Sequence, residues 1–225
     1  MKKIILSFIF LFVMVISLYL ILKPKKQSLP NVVLIFTDDQ GYGDLSIYGS
    51  ETINTPHLDA LAQSGMRFTD FHVASSVCTP SRAALLTGCY PDRVGLPKVL
   101  FPNGPYTSNP NVGINPDEET IAELLKKKGY ATAMAGKWHL GHKQKFLPLQ
   151  HGFDSYLGVP YSNDMSKGEL PLVKDNKVVE VDIDQSLLTK RYTDFGIDFI
   201  KSEAGKVPFF LYLAHTMPHI PLAAS

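Results

Sequence analysis

The sequence predicts an α/β fold built on a largely parallel sheet, and three observations carry that prediction. Two continuous apolar runs, residues 31–37 and 208–214, read as strands buried on both faces. Helical segments alternate with strands along the chain. Three polar clusters, Asp38/Asp39, Lys137/His139 and His215/His219, each follow directly on a predicted strand. In open α/β sheets ligands bind beyond the carboxyl ends of the strands, so these distant segments are expected to meet at one edge.

The elements follow in order. The strand at 31–37 stops at an Asp-Asp, Gly-rich loop, residues 38–44. Thr55 offers an N-cap and Pro56 a first helical position, with Leu58, Leu61 and Ala62 at i, i+3, i+4 and Gly65 as the stop. Met66, Phe68, Phe71 and Val73 suggest a further strand or extended segment. Residues 81–87 read as a helix closed by Gly88. Residues 95–116, rich in Pro, Gly and Asn, form a long loop, a length often associated with function. An amphipathic helix is predicted over 118–128, with Ile121, Leu124 and Leu125 inward, then a strand over 130–135. Residues 150–185 read as irregular. Leu188, Tyr192, Phe195 and Phe199 mark a helix, and 208–214 the last strand.

The N-terminus stands apart. Ile4 to Leu22 is a 19-residue run broken only by Ser7 and Ser17, with Lys on both sides. As a helix it would be about 28 Å long, against roughly 30 Å of bilayer core. That length, with no small-x-small cleavage site after it, favours an uncleaved membrane anchor over a cleaved signal peptide. Either way the remainder is expected outside the cytoplasm. Lys at both ends leaves the orientation of the segment open. The expected organisation is an anchor or signal over 1–26, a linker over 27–30 and one large domain over 31–225.

Composition excludes several classes. With 225 residues, 45% hydrophobic and 19% charged, the chain is neither disordered nor of low complexity. The net charge of +1 conceals five Lys in residues 1–26, which leave 17 basic against 21 acidic residues in 27–225, a net of −4. That argues against a nucleic-acid partner. Two cysteines, Cys78 and Cys89, are too few for a disulfide scaffold or a Cys-rich zinc module.

Several residues could carry chemistry. Adjacent carboxylates converge only where the backbone turns, as it is expected to do at Asp38-Asp39. Such a pair suits Ca²⁺ or Mg²⁺, or is simply a solvated acidic turn. Cys78 is predicted just before a helix N-terminus, where an anion is favoured, and Arg82 adds a cationic fork suited to sulfate or phosphate. The plainer alternative is a buried thiol and a surface Arg. Lys137 and His139, two apart, point to one side of an extended backbone; His moves protons near neutrality and Lys holds an anionic oxygen. Trp138 between them reads as a packing anchor. His219, between Pro218 and Pro221, sits on a stiff loop. Cys89 reads as a packed free thiol.

Taken together these segments resemble the sulfatase family. Residues 78–88, C-T-P-S-R-A-A-L-L-T-G, match its signature C-x-P-S-R-x-x-x-L-T-G throughout. Residues 31–45 look like its opening strand and metal loop, and 55–62, T-P-H-L-D-A-L-A, like its next helix. G-K-W-H-L-G at 136–141 matches its second signature, and P-H-I-P at 218–221 its later His loop. Residues 158–164, G-V-P-Y-S-N-D, are similar to a segment of the arylsulfatase A branch. The resemblance covers residues 31–222.

What the resemblance implies is an alkaline-phosphatase-like fold and the hydrolysis of sulfate esters. Cys78 would be oxidised to formylglycine by a separate formylglycine-generating enzyme, and its hydrate would be the nucleophile. Asp38, Asp39 and the modified Cys78 would hold Ca²⁺, with Mg²⁺ as the alternative. Arg82 would steady the hydrate and the metal site. Lys137, Ser162 and His219 would bind the sulfate, with His219 near the leaving oxygen. His139 would act as base on the second hydroxyl. Members of the family run to more than twice this length, and their second half supplies further metal ligands and sheet. The resemblance therefore casts residues 31–225 as the N-terminal portion of a sulfatase catalytic domain, expected to be inactive alone. Two other functions compete: a phosphatase or phosphodiesterase of the same superfamily, and a non-catalytic, membrane-anchored sulfate-binding module.

Overall fold

The computed structural model describes residues 12, 14, 29–102, 112–165 and 170–224. The segment expected to meet the membrane, 4–22, lies outside them apart from Phe12 and Met14. No helix among the described residues is long and apolar enough to cross a membrane.

Within the described residues one sheet has six strands: β1 (Val32–Phe36), β2 (Ala131–Gly136), β3 (Ser155–Gly158), β4 (Leu172–Lys174), β5 (Lys177–Glu180) and β6 (Phe209–Ala214). Their spatial order is β1-β6-β2-β3-β4-β5. The first four in that order pair in parallel, and β4 and β5 extend the sheet antiparallel as a hairpin. The fold class expected from sequence is the one observed.

Strand β6, between β1 and β2, is buried at every residue. Phe210, Tyr212 and Ala214 pack with Met134, Phe153 and Tyr156, while Leu213 joins Ala135, Leu172, Leu188 and Tyr192 in a second cluster. An apolar core on both faces explains why residues 208–214 show no alternation. Helix α1 (Pro56–Ser64) precedes α2 (Cys78–Thr87). Next comes α3 (Ile121–Lys127), which opens with a capping box between Thr120 and Glu123. Along α4 (Leu188–Glu203), Leu188 and Tyr192 are buried and Phe199 meets Phe209 edge to face, as the predicted stripe requires.

Four expectations are corrected. Residues 150–185 are not irregular: they hold β3, β4 and β5, strands of three or four residues too short to show a period. A two-residue turn at Asp175-Asn176, with Asp175 at φ 58°, joins β4 to β5. Residues 66–73 form no strand. Leu124 faces outward, 48% exposed, because α3 turns Ala122 and Leu125 to the core. Helix α2 begins at Cys78 rather than 81, since Pro80 needs no N–H donor in a first turn.

Gly136 ends β2 at φ +116°, where a Cβ would lie 1.8 Å from the Ala214 carbonyl oxygen. Only glycine lets β2 and β6 close together there. That contact also sets the direction in which residues 137–139 leave the sheet.

Candidate active site

Three chain segments leave the carboxyl ends of β1, β2 and β6 and are tied to one another. The Asp38 amide donates to the Met217 carbonyl (3.2 Å), that of Lys137 to Ala214 (2.8 Å) and that of His215 to Phe36 (2.9 Å). The turn after β1 separates the two acids. Asp39 lies in the left-handed region at φ 60°, so Asp38 is buried while Asp39 stays exposed.

Asp38 lies under two cations. Lys137 Nζ donates to its Oδ2 at 2.5 Å, and Arg82 Nη2 stands 3.3 Å from its Oδ1. Burial alone would raise the Asp38 pKa, but Arg82 and Lys137 outweigh it and hold the carboxyl below its ordinary value. The Lys137 ammonium also reaches Cys78 Sγ (3.2 Å) and Ser162 Oγ (2.8 Å). With Lys137 and Ser162 fully buried, one ammonium joins residues from four parts of the chain.

Helix α2 supplies two of the site's groups. Cys78 and Arg82 are four residues apart and share one helical face, an arrangement that follows from the earlier helix start. Arg82 donates from Nη1 to the Lys137 carbonyl (2.9 Å), and its guanidinium lies 5.4 Å from the centre of the Phe36 ring. Burial pushes the Cys78 thiol up despite Lys137. A protonated thiol is the reverse of what a cysteine nucleophile needs.

His139 is buried, with backbone φ 58°. Its Nε2 lies 2.7 Å from the Leu100 carbonyl oxygen. A carbonyl only accepts, so Nε2 carries the proton and the buried Nδ1, without a hydrogen-bond partner, keeps its lone pair. Burial, with Lys137, holds the ring's pKa down to about 3.

His219 Nδ1 donates to the Ile220 carbonyl (2.5 Å), and its Nε2 stands 3.5 Å from Asp39 Oδ2. A neutral ring would turn a lone pair towards that carboxylate, so a proton or another cation suits the space between them. Donor atoms of Asp38, Cys78 and His219 lie within 4.8 Å of one another. The Asp38 carboxylate suits a hard cation; a thiol does not, whereas an oxygen in place of Sγ would.

The structure thus brings Asp38, Asp39, Cys78, Arg82, Lys137, Ser162 and His219 together, with His139 beside them. A cavity of about 520 Å³ opens here, its polar end formed by Asp38, Asp39 and Cys78 and its apolar wall by Tyr42, Phe68, Phe71 and Val73. Sequence reasoning missed Phe36 and Leu100. Phe36 was signalled only by its place at the end of the strand before Asp38. The Leu100 carbonyl has no residue-type signal.

Known proteins resemble this chain over most of its length. The family model described as Sulfatase matches residues 30–225. Mouse (Mus musculus) arylsulfatase G is 39% identical over 229 residues, covering 87% of this chain and 42% of that protein. N-acetylgalactosamine-6-sulfatase of Homo sapiens is 40% identical over 213 residues, covering 87% and 41%. Among solved structures, Ps i-CgsB in complex with k-i-k-neocarrahexaose superposes with a TM-score of 0.75 at 36% identity, covering 87% of this chain and 47% of that one. The chain spans about two-fifths of the length of the curated relatives it matches.

Proposed function

The chain belongs to the sulfatase family, and from that premise we propose that it serves the hydrolysis of sulfate esters, through an oxygen nucleophile derived from Cys78 and a divalent cation. The observation that carries this reading is the Lys137 ammonium, which meets Asp38, Cys78 and Ser162 at once. A buried cation that touches both the nucleophile position and a hydroxyl is placed to hold the oxygens of an anionic group under attack at residue 78.

Burial of the thiol argues against unmodified Cys78 as the nucleophile, and the full C-x-P-S-R-x-x-x-L-T-G match at 78–88 supports its conversion by a formylglycine-generating enzyme. Formylglycine hydrate would supply one hydroxyl to attack sulfur and a second whose deprotonation releases sulfate. Asp38, Asp39 and the residue 78 oxygen would hold Ca²⁺, or Mg²⁺, which supplies Lewis-acid polarisation of a sulfate oxygen. Arg82 fixes Asp38 and the Lys137 backbone. Lys137 and Ser162 bind sulfate oxygens. His219 faces the exposed side and gives its proton to the leaving alcohol. The bare Nδ1 of His139 takes the proton of the second hydroxyl.

Sulfated carbohydrates are the first substrates to assay, since one relative is named for N-acetylgalactosamine 6-sulfate and a solved neighbour is bound to an oligosaccharide. The apolar run at 4–22 supports a membrane-anchored location outside the cytoplasm. The test is sulfate release by the full chain, co-expressed with a formylglycine-generating enzyme, with and without Ca²⁺. Release of sulfate supports the reading. A preference for matched phosphate esters, or sulfate binding without turnover, refutes it in favour of a phosphatase or a binding module.

A further inference from the structure

The threonine after Cys78 is completely buried, and its hydroxyl has two partners. Thr79 Oγ1 donates to the His139 carbonyl at 3.0 Å and accepts from the Leu100 amide at 3.1 Å. Neither role is interchangeable, because a carbonyl only accepts and an amide N–H only donates. The Leu100 carbonyl in turn takes the Nε2 proton of His139 at 2.7 Å. The three hydrogen bonds form a closed ring through Thr79, Leu100 and His139. Both ends of residue 139 are therefore held, its backbone by Thr79 directly and its imidazole by Thr79 through Leu100.

We propose that Thr79 is the positioning residue for His139: its hydroxyl fixes the Leu100 carbonyl that sets the ring's tautomer and direction, leaving Nδ1 as the free base. The assignment of His139 as a base rests on the sulfatase reading; the hydrogen-bonded ring does not. His139 needs such a device. Its backbone sits at φ 58°, a region that a non-glycine residue leaves unless its surroundings hold it there. Leu100 lies in the loop that follows α2, and the Thr79 hydroxyl holds its amide while its carbonyl meets the His139 ring. The hydroxyl links the helix bearing the nucleophile position to the segment bearing the base. Movement of one is thereby transmitted to the other.

The experiment is a long-range ¹H–¹⁵N correlation spectrum of the imidazoles in the ¹⁵N-labelled full chain, with His139 assigned by its loss in His139→Gln. The expected result in the unsubstituted protein is a single Nε2–H tautomer whose ring proton exchanges slowly. Thr79→Ser, which keeps the hydroxyl, should preserve that signature. Thr79→Val, which keeps the shape and loses the hydroxyl, should give mixed tautomers, or speed exchange of the ring proton by about tenfold or more, the effect of losing roughly 1.4 kcal/mol of hydrogen bonding. An Nδ1–H tautomer in the unsubstituted chain would overturn the proposal without any variant, so a poorly folding Val variant does not shelter it. A Val spectrum identical to the parent, or a Ser variant that behaves like Val, would overturn it too. No substrate is involved, so absence of sulfate release would count against the sulfatase reading and leave this result standing.

Discussion

The ammonium of Lys137 donates to the carboxylate of Asp38 at 2.5 Å across 99 residues of sequence, with both side chains buried. Removing one member of such a pair leaves the other's charge undercompensated in a poorly solvated place, Asp38 keeping only Arg82 at 3.3 Å. Lys137→Met should therefore cost about 3–5 kcal/mol in urea unfolding measured in chelator. The double variant Asp38→Asn/Lys137→Met should cost less than the two single changes added, by about 1 kcal/mol or more. Strict additivity would show that the two groups do not share a field.

Cys78 and Cys89 are both free thiols, yet only one lies under Lys137. Cys89 packs at the edge of the core beyond the other end of α2. Peptide mass analysis of residues 77–82, after co-expression with a formylglycine-generating enzyme, should find the aldehyde at 78 and an unchanged thiol at 89. Cys78→Ala should abolish sulfate release, a loss of at least about 10³-fold, while Cys89→Ala should leave it within about threefold. An intact thiol at 78 in every copy would remove the proposed nucleophile.

Stability should fall on mild acidification. Burial lowers the pKa of His139 to about 3, and chiefly burial also lowers those of His151 and His215. The unfolded chain, with histidines near 6.5, binds more protons than the folded one through this window. Stability is thus complete above about pH 6.5 and is lost as the pH drops towards 3. Asp38, depressed in the fold, adds its own loss only below about 3.8. From pH 6.5 to 5 His139 alone should account for about 2 kcal/mol, at roughly 1.4 kcal/mol per pH unit. Denaturation midpoints for His139→Gln should show a correspondingly shallower acid slope. A slope equal to the parent's would mean that the ring charges in place at no cost.

The anchor proposed over 4–22 makes a separate claim. Membranes washed with high salt and then carbonate should retain the chain, because a 19-residue run broken only by Ser7 and Ser17 binds far more strongly than any surface charge. A soluble product whose first residue falls between 23 and 30 would instead reveal cleavage.

How much of this was legible beforehand follows from how each feature is encoded. The strands β1, β2 and β6 are long and apolar enough to read directly, and the three polar clusters at their ends do meet. Lys137, His139 and Asp38 were therefore visible as a convergent set. Ser162 was reached only through a family segment, since nothing in residues 155–165 marks a strand end beside the site. The hairpin β4–β5 was missed although Asp175-Asn176 between short apolar stretches is a turn signal. The roles of the Leu100 carbonyl and the Thr79 hydroxyl were illegible in kind: both depend on which backbone group faces which, and no residue type records that.

Strand β1 raises the last prediction. It forms one edge of the sheet among the described residues, and its outward residues Val33 and Ile35 are 45% and 52% exposed. The other long apolar strand, β6, is paired on both sides and wholly buried, whereas apolar exposure is found at β1 and along Leu61, Met66, Phe68 and Phe71. An unpaired parallel edge beside an apolar surface is a template for pairing with another chain. Residues 27–225 expressed alone should therefore self-associate at micromolar concentration, and calcium should stabilise them only weakly, since two carboxylates and one oxygen leave a Ca²⁺ ion short of its usual 6–8 ligands. Charge at the edge should relieve the association: Val33→Lys should shift sedimentation towards monomer, whereas Val178→Lys, at a still more exposed position on the far edge strand β5, should leave it unchanged. A segment that sediments as a monomer, unfolds cooperatively and turns over sulfate esters as fast as sulfatases of twice its length would show that the β1 face is satisfied within this chain.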